Sequence, residues 1–186
     1  MVSHMKAEIS PDRYRLTDGE VTLRPFVPGD KKRLAELGNN VNIFRNLRDG
    51  FPHPYTVADA ERFIAMVMEH VPPHAFAIEY QGEYVGNIGI HPKADIYRMG
   101  AEIGYFLGEP WWHKGIMPRA VRLACAFAFR ELGIIRIDTG VFDYNVASQR
   151  VLEKCGFVKE GIFRKSVIKM GQICDEVRYA LLKENG

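Results

Sequence analysis

The sequence predicts a mixed α/β domain: a largely antiparallel sheet with one central parallel pair of strands, flanked by helices. Three observations lead there. Residues 75–107 hold three strand-like stretches separated by turn residues, and the last of them places Ala101, Ile103, Tyr105 and Leu107 on one side, the period of a strand with a buried face. Residues 99–141 then read strand, loop, helix, strand, and a helical crossover makes those two strands parallel. Two strands turned by Met170-Gly171-Gln172 close the chain as a hairpin.

Taken in order, Glu20-Val21-Thr22-Leu23-Arg24-Pro25 alternates like a first strand, stopped by Pro25 and the turn former Pro28-Gly29-Asp30. Asp30 caps a helix marked by Leu34 and Leu37, with Val41 at its limit, and Gly38-Asn39-Asn40 ends or breaks it. Residues 42–55 read as irregular because Pro52-His53-Pro54 bars helix. Thr56-Val57-Ala58-Asp59 starts a second helix, and Ala60, Phe63, Ile64, Val67 and Met68 follow at helical spacing until Pro72-Pro73. Strands at 75–80 and 83–90 meet at the two-residue turn Gln81-Gly82. After the strand at 99–107, Met117, Ala120, Val121, Ala124 and Ala128 define a helix over 116–132 that Gly133 caps. Ile135, Ile137, Thr139 and Val141 form the parallel strand, a short helix over 145–154 carries Val146, Val151 and Leu152, and strands near 161–169 and 175–182 finish the sheet. Residues 20–182 are expected to form one domain. Residues 1–19 are a tail in which Ser3-His4-Met5 looks like a cloning scar, with Met5 as the natural start.

Length and composition narrow the function classes. A chain of 186 residues has room for one well-packed domain, and 47% apolar with 26% charged residues is the mixture of a globular protein. No apolar run is long enough for a membrane span. A formal net charge of +2 does not supply the concentrated basic face of a nucleic-acid binder, so any polyanion must be held locally. Cys125, Cys155 and Cys174 are odd in number and form no C-x-x-C pair, which argues against disulfides and zinc and fits a reducing cytoplasm. His53, His74, His91 and His113 do not pair at ligand spacing and each falls in a predicted loop, so no metal is expected.

The stretch from Gly108 to Ala120 joins the central strand to the central helix. A helix N-terminus has unpaired N–H groups and a partial positive charge, so a Gly-containing loop feeding one suits a phosphate. Lys114, Arg119 and Arg122 add positive charge, and Pro118 is tolerated in the first turn. Neither G-x-x-x-x-G-K-[ST] nor a G-x-G-x-x-G after a strand occurs, so the loop is not one of the common nucleotide cradles.

Two strings together make the pattern specific. Ala101-Glu102-Ile103-Gly104-Tyr105 with Pro110-Trp111-Trp112-His113-Lys114-Gly115-Ile116 resembles the acetyl-CoA motif of RimJ/RimL-type N-acetyltransferases, within the GNAT acyltransferase superfamily. Asn145-Val146-Ala147-Ser148-Gln149-Arg150-Val151-Leu152-Glu153-Lys154-Cys155-Gly156-Phe157 with Glu160-Gly161 resembles their second signature. The superfamily pattern is Gln or Arg, two residues, Gly, one residue, then Gly or Ala. Here Trp112, Gly115 and Met117 take the three places, and Met117 is long enough to crowd a pyrophosphate.

The resemblance implies a GNAT fold whose central parallel pair splays, with acetyl-CoA as cosubstrate and no metal. It implies that backbone amides at Phe106 and Leu107 meet the pantetheine and thioester, and that Trp112, His113, Lys114, Gly115, Ile116 and Met117 line the pyrophosphate loop. Asn145 corresponds to the residue that bonds the pantetheine arm, Ser148 to a proton donor near the sulfur, and Lys154 to a residue within reach of an adenosine phosphate. Read without the family, Asn145 is a helix N-cap and Ser148 a first-turn surface hydroxyl. Some relatives carry a basic glutamate where this chain has Val167, which leaves Glu102 as the candidate base acting through water, or as a structural carboxylate paired with an arginine.

A weak base is enough for some acceptors. An α-amine of pKa ~8 is roughly a tenth neutral at pH 7, whereas a lysine of ~10.4 is neutral in about one molecule in 2,500. The expected acceptor is therefore a peptide N-terminus or a small-molecule amine of low pKa. Phe44, Phe51 and Tyr55, with Arg45 and Arg48, fall in the segment that lines the acceptor side of this fold. No nucleic-acid or membrane partner is expected, and a homodimer is compatible with the reading. The alternative is a non-catalytic coenzyme A sensor or scaffold on the same fold, to which Met117 and Val167 both point.

Overall fold

A computed structural model describes residues 11–184, so the sequence feature at Ser3-His4-Met5 lies outside the described residues. Eight strands form one sheet: β1 (Leu16–Thr17), β2 (Val21–Arg24), β3 (Ala75–Tyr80), β4 (Glu83–Pro92), β5 (Gly100–Leu107), β6 (Arg136–Phe142), β7 (Val158–Lys169) and β8 (Gln172–Leu182). Their spatial order is β1-β2-β3-β4-β5-β6-β8-β7, and every neighbouring pair is antiparallel except β5 and β6.

The helices are α1 (Lys31–Gly38), α2 (Val41–Phe44), α3 (Val57–Met68), α4 (Ile116–Glu131) and α5 (Val146–Lys154). Because side chains alternate across a strand, the sheet feeds two cores. Phe76, Ile78, Ala101, Ile103 and Leu107 pack with Ala120, Val121, Ala124 and Ala128 of α4. On the other face, Ala75, Ala77 and Phe106 pack with Leu34, Leu37, Ala60 and Ile64 of α1 and α3. Among the described residues no helix is long and apolar enough to cross a membrane.

Several local expectations need correction. Residues 42–55 are not wholly irregular: Asn40 turns its side-chain oxygen to the Asn42 N–H and caps α2, so Val41 opens a new helix instead of ending α1. The sheet begins earlier than Val21, with β1 paired to β2 and Tyr14 buried in the α4-side core. Ile135 and Val146 are not buried, at 49% and 50% exposure. Ile135 instead serves the sheet through its backbone, its N–H bonding Met99 O and its carbonyl accepting from Lys183. Strand β4 also runs past Ile90 to Pro92, which places His91 in the sheet. Pro92 fits there because β3 has ended: its pairing with β4 stops at Gly89, so the missing N–H of Pro92 faces no strand.

Candidate active site

The site grows from a break between two strands. β5 and β6 pair only through Gly100↔Arg136, Ala101↔Ile137 and Glu102↔Asp138, and then part. Hydrogen bonds Gly108 N–H to Val85 O and Lys93 N–H to Gly100 O fix the phase of the β4–β5 ladder, so even-numbered β5 residues bond to β4. Odd-numbered residues face β6. Beyond the last β6 pair, the N–H groups of Tyr105 and Leu107 therefore point into the opening. Phe106 does not fit the expectation for it, since its backbone faces β4 and its ring packs on Phe51.

A cavity of about 720 Å³ occupies this wedge and extends to both faces of the sheet. On one side it is lined by residues 111–118 and by Asn145, Ser148, Val151 and Lys154. There Trp112 donates its indole N–H to Leu107 O at 2.7 Å, tying the loop to the strand end, so its side chain is a brace. His113 and Gly115 both adopt positive φ, 62° and 75°, and Gly115 caps α4. Successive backbone amides around such left-handed residues form a concave, anion-accepting nest at the helix N-terminus. Met117, 7% exposed, packs in the α4-side core while bordering the cavity at the foot of the loop.

Asn145 caps α5 by accepting from the Ser148 N–H at 3.2 Å, which leaves its Nδ2 to donate elsewhere. Ser148 Oγ lies 2.9 Å from the hydroxyl of Tyr105 on β5. Burial raises the Tyr105 pKa well above its ordinary value, so the phenol stays protonated. The sequence placed Tyr105 among buried strand residues; the signal that it does more is a hydroxyl at a core position, which needs a partner. Lys154 O accepts from Arg122, and both residues border a second cavity of about 480 Å³ beside Gly115. Arg119, one of the cations expected beside the loop, is paired with Asp18 and Glu20.

On the opposite face the wedge is floored by His91, Glu102, Gly104, Gly140 and Glu176, under Asn42, Ile43, Asn46, Leu47 and Arg48. Glu102 carries Arg48 on both carboxylate oxygens, the paired arrangement. Glu176, on β8, lies flat over Gly140 of β6, where any Cβ would overlap its carboxylate, and one of its oxygens accepts from Arg178 at 2.9 Å. Neither Glu176 nor His91 emerged from the sequence as a site residue. Lys169 Nζ bonds Asp49 at 2.6 Å and sits 3.5 Å from the centre of the Phe44 ring, fastening the β7–β8 hairpin to the segment over this face.

The cysteines do not join the site chemistry. Burial pushes the Cys125 thiol up to about 12 and raises that of Cys155. His53 stacks on Phe44, and among the described residues no three metal-ligating side chains cluster.

The family model for the GNAT acetyltransferase domain matches residues 20–158, and the chain belongs to that family. It is 36% identical over 171 residues to YdaF of Bacillus subtilis, provisionally named a ribosomal N-acetyltransferase, covering 88% of this chain and 91% of that one. A 67-residue match to YjcK of the same organism is 57% identical but spans only 36% of this chain and 37% of YjcK. Among solved structures, RimL, a ribosomal L7/L12 α-N-protein acetyltransferase in complex with coenzyme A, superposes with a TM-score of 0.81 at 21% identity, covering 90% of this chain and 97% of that one.

Proposed function

We infer that the protein transfers the acetyl group of acetyl-CoA to a primary amine, in the manner of the RimJ/RimL-type N-acetyltransferases. The acceptor is a protein N-terminal α-amine or a small-molecule amine, and it attacks the thioester directly. The observation that carries this reading is the wedge itself. Its unpaired Leu107 N–H lies between an anion-accepting loop on one face and an open, polar floor on the other. A thioester carbonyl held by that N–H is polarised where negative charge develops during attack.

The residues divide the remaining work. Amides of residues 113–117 hold the pyrophosphate, Asn145 Nδ2 bonds the pantetheine arm, and Lys154 with Arg122 faces the adenosine phosphate. Ser148 meets the departing sulfur as proton donor. The acceptor enters over Gly104 and Gly140, beneath Arg48. Membership of the GNAT acetyltransferase family and an N–H aimed into the wedge favour catalysis over a coenzyme sensor. A cytoplasmic setting accords with three free cysteines.

Calorimetry with acetyl-CoA and release of free thiol in the presence of an amine panel test this reading. Gly115→Val is the diagnostic variant. A Cβ there meets nothing within 4 Å, so the variant folds, yet φ of 75° strains a β-branched residue. The strain is about 1–2 kcal/mol, and relieving it rotates the loop amides. Acetyl-CoA affinity is expected to fall about tenfold, which corresponds to ~1.4 kcal/mol. Unchanged affinity in the folded variant would remove this loop from coenzyme binding.

A further inference from the structure

The wedge holds an oxyanion donor and a proton donor, yet neither position considered from the sequence supplies a free base. Val167 has no ionisable group, and Glu102 is tied through both oxygens to Arg48. Building on the acetyltransferase reading, we propose that His91 is the general base that takes the proton from the acceptor amine.

The argument is geometric first. His91 pairs with Glu102 across β4 and β5, and Gly89 pairs with Gly104 one step nearer the Leu107 end. The His91 ring leans in that direction. A Cβ on Gly89 would lie 2.8 Å from Nε2, and one on Gly104 would lie 4.0 Å from it. Gly89 thus clears the space the imidazole occupies as it reaches from its own strand to within contact range of Gly104 on β5, on the face open to the acceptor. A glycine inside a strand weakens it and is expected where another group must approach the backbone closely, as the ring does here. From Gly104 to Leu107 is three residues, about 10 Å along a strand, a span that bound amine and one water can bridge.

The surroundings keep the ring in the form a base needs. Partial burial lowers the His91 pKa, Glu102 opposes this, and Arg48 and His70 add to the lowering. His74, whose pKa is also lowered, stands beside His70, with ring centres 4.3 Å apart. With its pKa below the ordinary ~6.5, the imidazole is neutral at pH 7 and can accept a proton, and general bases work best with pKa values near the operating pH.

The step balances. The amine nitrogen bonds the thioester carbonyl carbon, the C–S bond breaks, the proton shed by nitrogen passes to His91, and the thiolate takes the Ser148 hydroxyl proton, which water restores to the serine. His91 then returns its proton to water. A further consequence follows for the acceptor. With a base present, neutral amine need not come from solution alone, and the expected bias toward low-pKa amines is relaxed.

The test uses the full chain, acetyl-CoA at saturation, and three amine probes: a short peptide with a free N-terminus, spermidine and 1,3-diaminopropane. His91→Gln is expected to lower kcat/KM for the amine about a hundredfold at pH 7 and to remove the His-dependent limb of the pH profile. Its acetyl-CoA affinity by calorimetry should stay within twofold. His91→Ala should regain activity when imidazole is added, which a purely structural role would not allow. Wild-type kcat/KM in His91→Gln would overturn the proposal. So would the hundredfold loss appearing in Glu176→Gln while His91→Gln keeps its activity, which would assign the proton to the other floor residue. Failure of the wild-type protein to release thiol with any probe would instead overturn the acetyltransferase reading, and this assignment with it.

Discussion

Replacing Gly86 by alanine is expected to lower acetyl transfer about a hundredfold or more in a protein that still folds. Gly86 pairs with Leu107, next to Val85, the extra residue that β4 carries relative to β3. A Cβ there would sit 2.9 Å from Leu107 Cα and 3.2 Å from the Phe106 carbonyl carbon, and closer still to the Phe106 oxygen. All three are backbone atoms, so no side chain can swing aside, and the end of β5 must move away from β4 into the wedge. Overpacking of this kind costs about 1–3 kcal/mol of stability. The catalytic loss is larger, because a displacement of ~1 Å at a reacting centre costs about a hundredfold and here it shifts the oxyanion donor itself. Urea unfolding should show the modest destabilisation, calorimetry a weakened acetyl-CoA, and the thiol assay a loss exceeding both. If Gly86→Ala binds and turns over acetyl-CoA like the wild type, the Leu107 N–H is not the oxyanion donor.

How much of this was legible in the sequence depended on the range of the contact involved. The alternation of Ala101, Ile103 and Leu107 and the stripe of Ala120, Val121, Ala124 and Ala128 are local periodicities, and they mark the strand and helix that hold the coenzyme side. The cap at Asn145 is equally local, bonding three residues ahead. What periodicity cannot supply is the partner of a side chain. Tyr105 and Ser148 are 43 residues apart, Arg48 and Glu102 are 54 apart, and Glu176 meets Gly140 only because β8 returns between β6 and β7. His91 was hidden by its neighbour. Pro92 ordinarily ends a strand, and only the stopping of β3 at Gly89 lets β4 continue through it. Met117 shows the converse, since a pattern position in the loop motif gave no hint that its side chain turns into the core.

Ser148→Ala is expected to lower kcat about a hundredfold, the scale of a single proton-transfer group, with acetyl-CoA affinity nearly unchanged. Tyr105→Phe should cost less, about tenfold, because the phenol acts through the serine. The hydroxyls are 2.9 Å apart, and a phenol kept protonated by burial is able to donate to Ser148 Oγ. That bond directs the serine's own hydrogen into the wedge and makes it a better donor to sulfur. Tyr105 is thus a positioning residue, and a double-mutant cycle separates that role from simple packing. If the phenol works only through Ser148, Tyr105→Phe added to Ser148→Ala should cost almost nothing further, a coupling near the full effect of the tyrosine change alone. Additive losses would mean that Tyr105 contacts the reacting atoms independently or merely supports the core. A Ser148→Ala enzyme with wild-type turnover would show that the thiolate departs without help from α5.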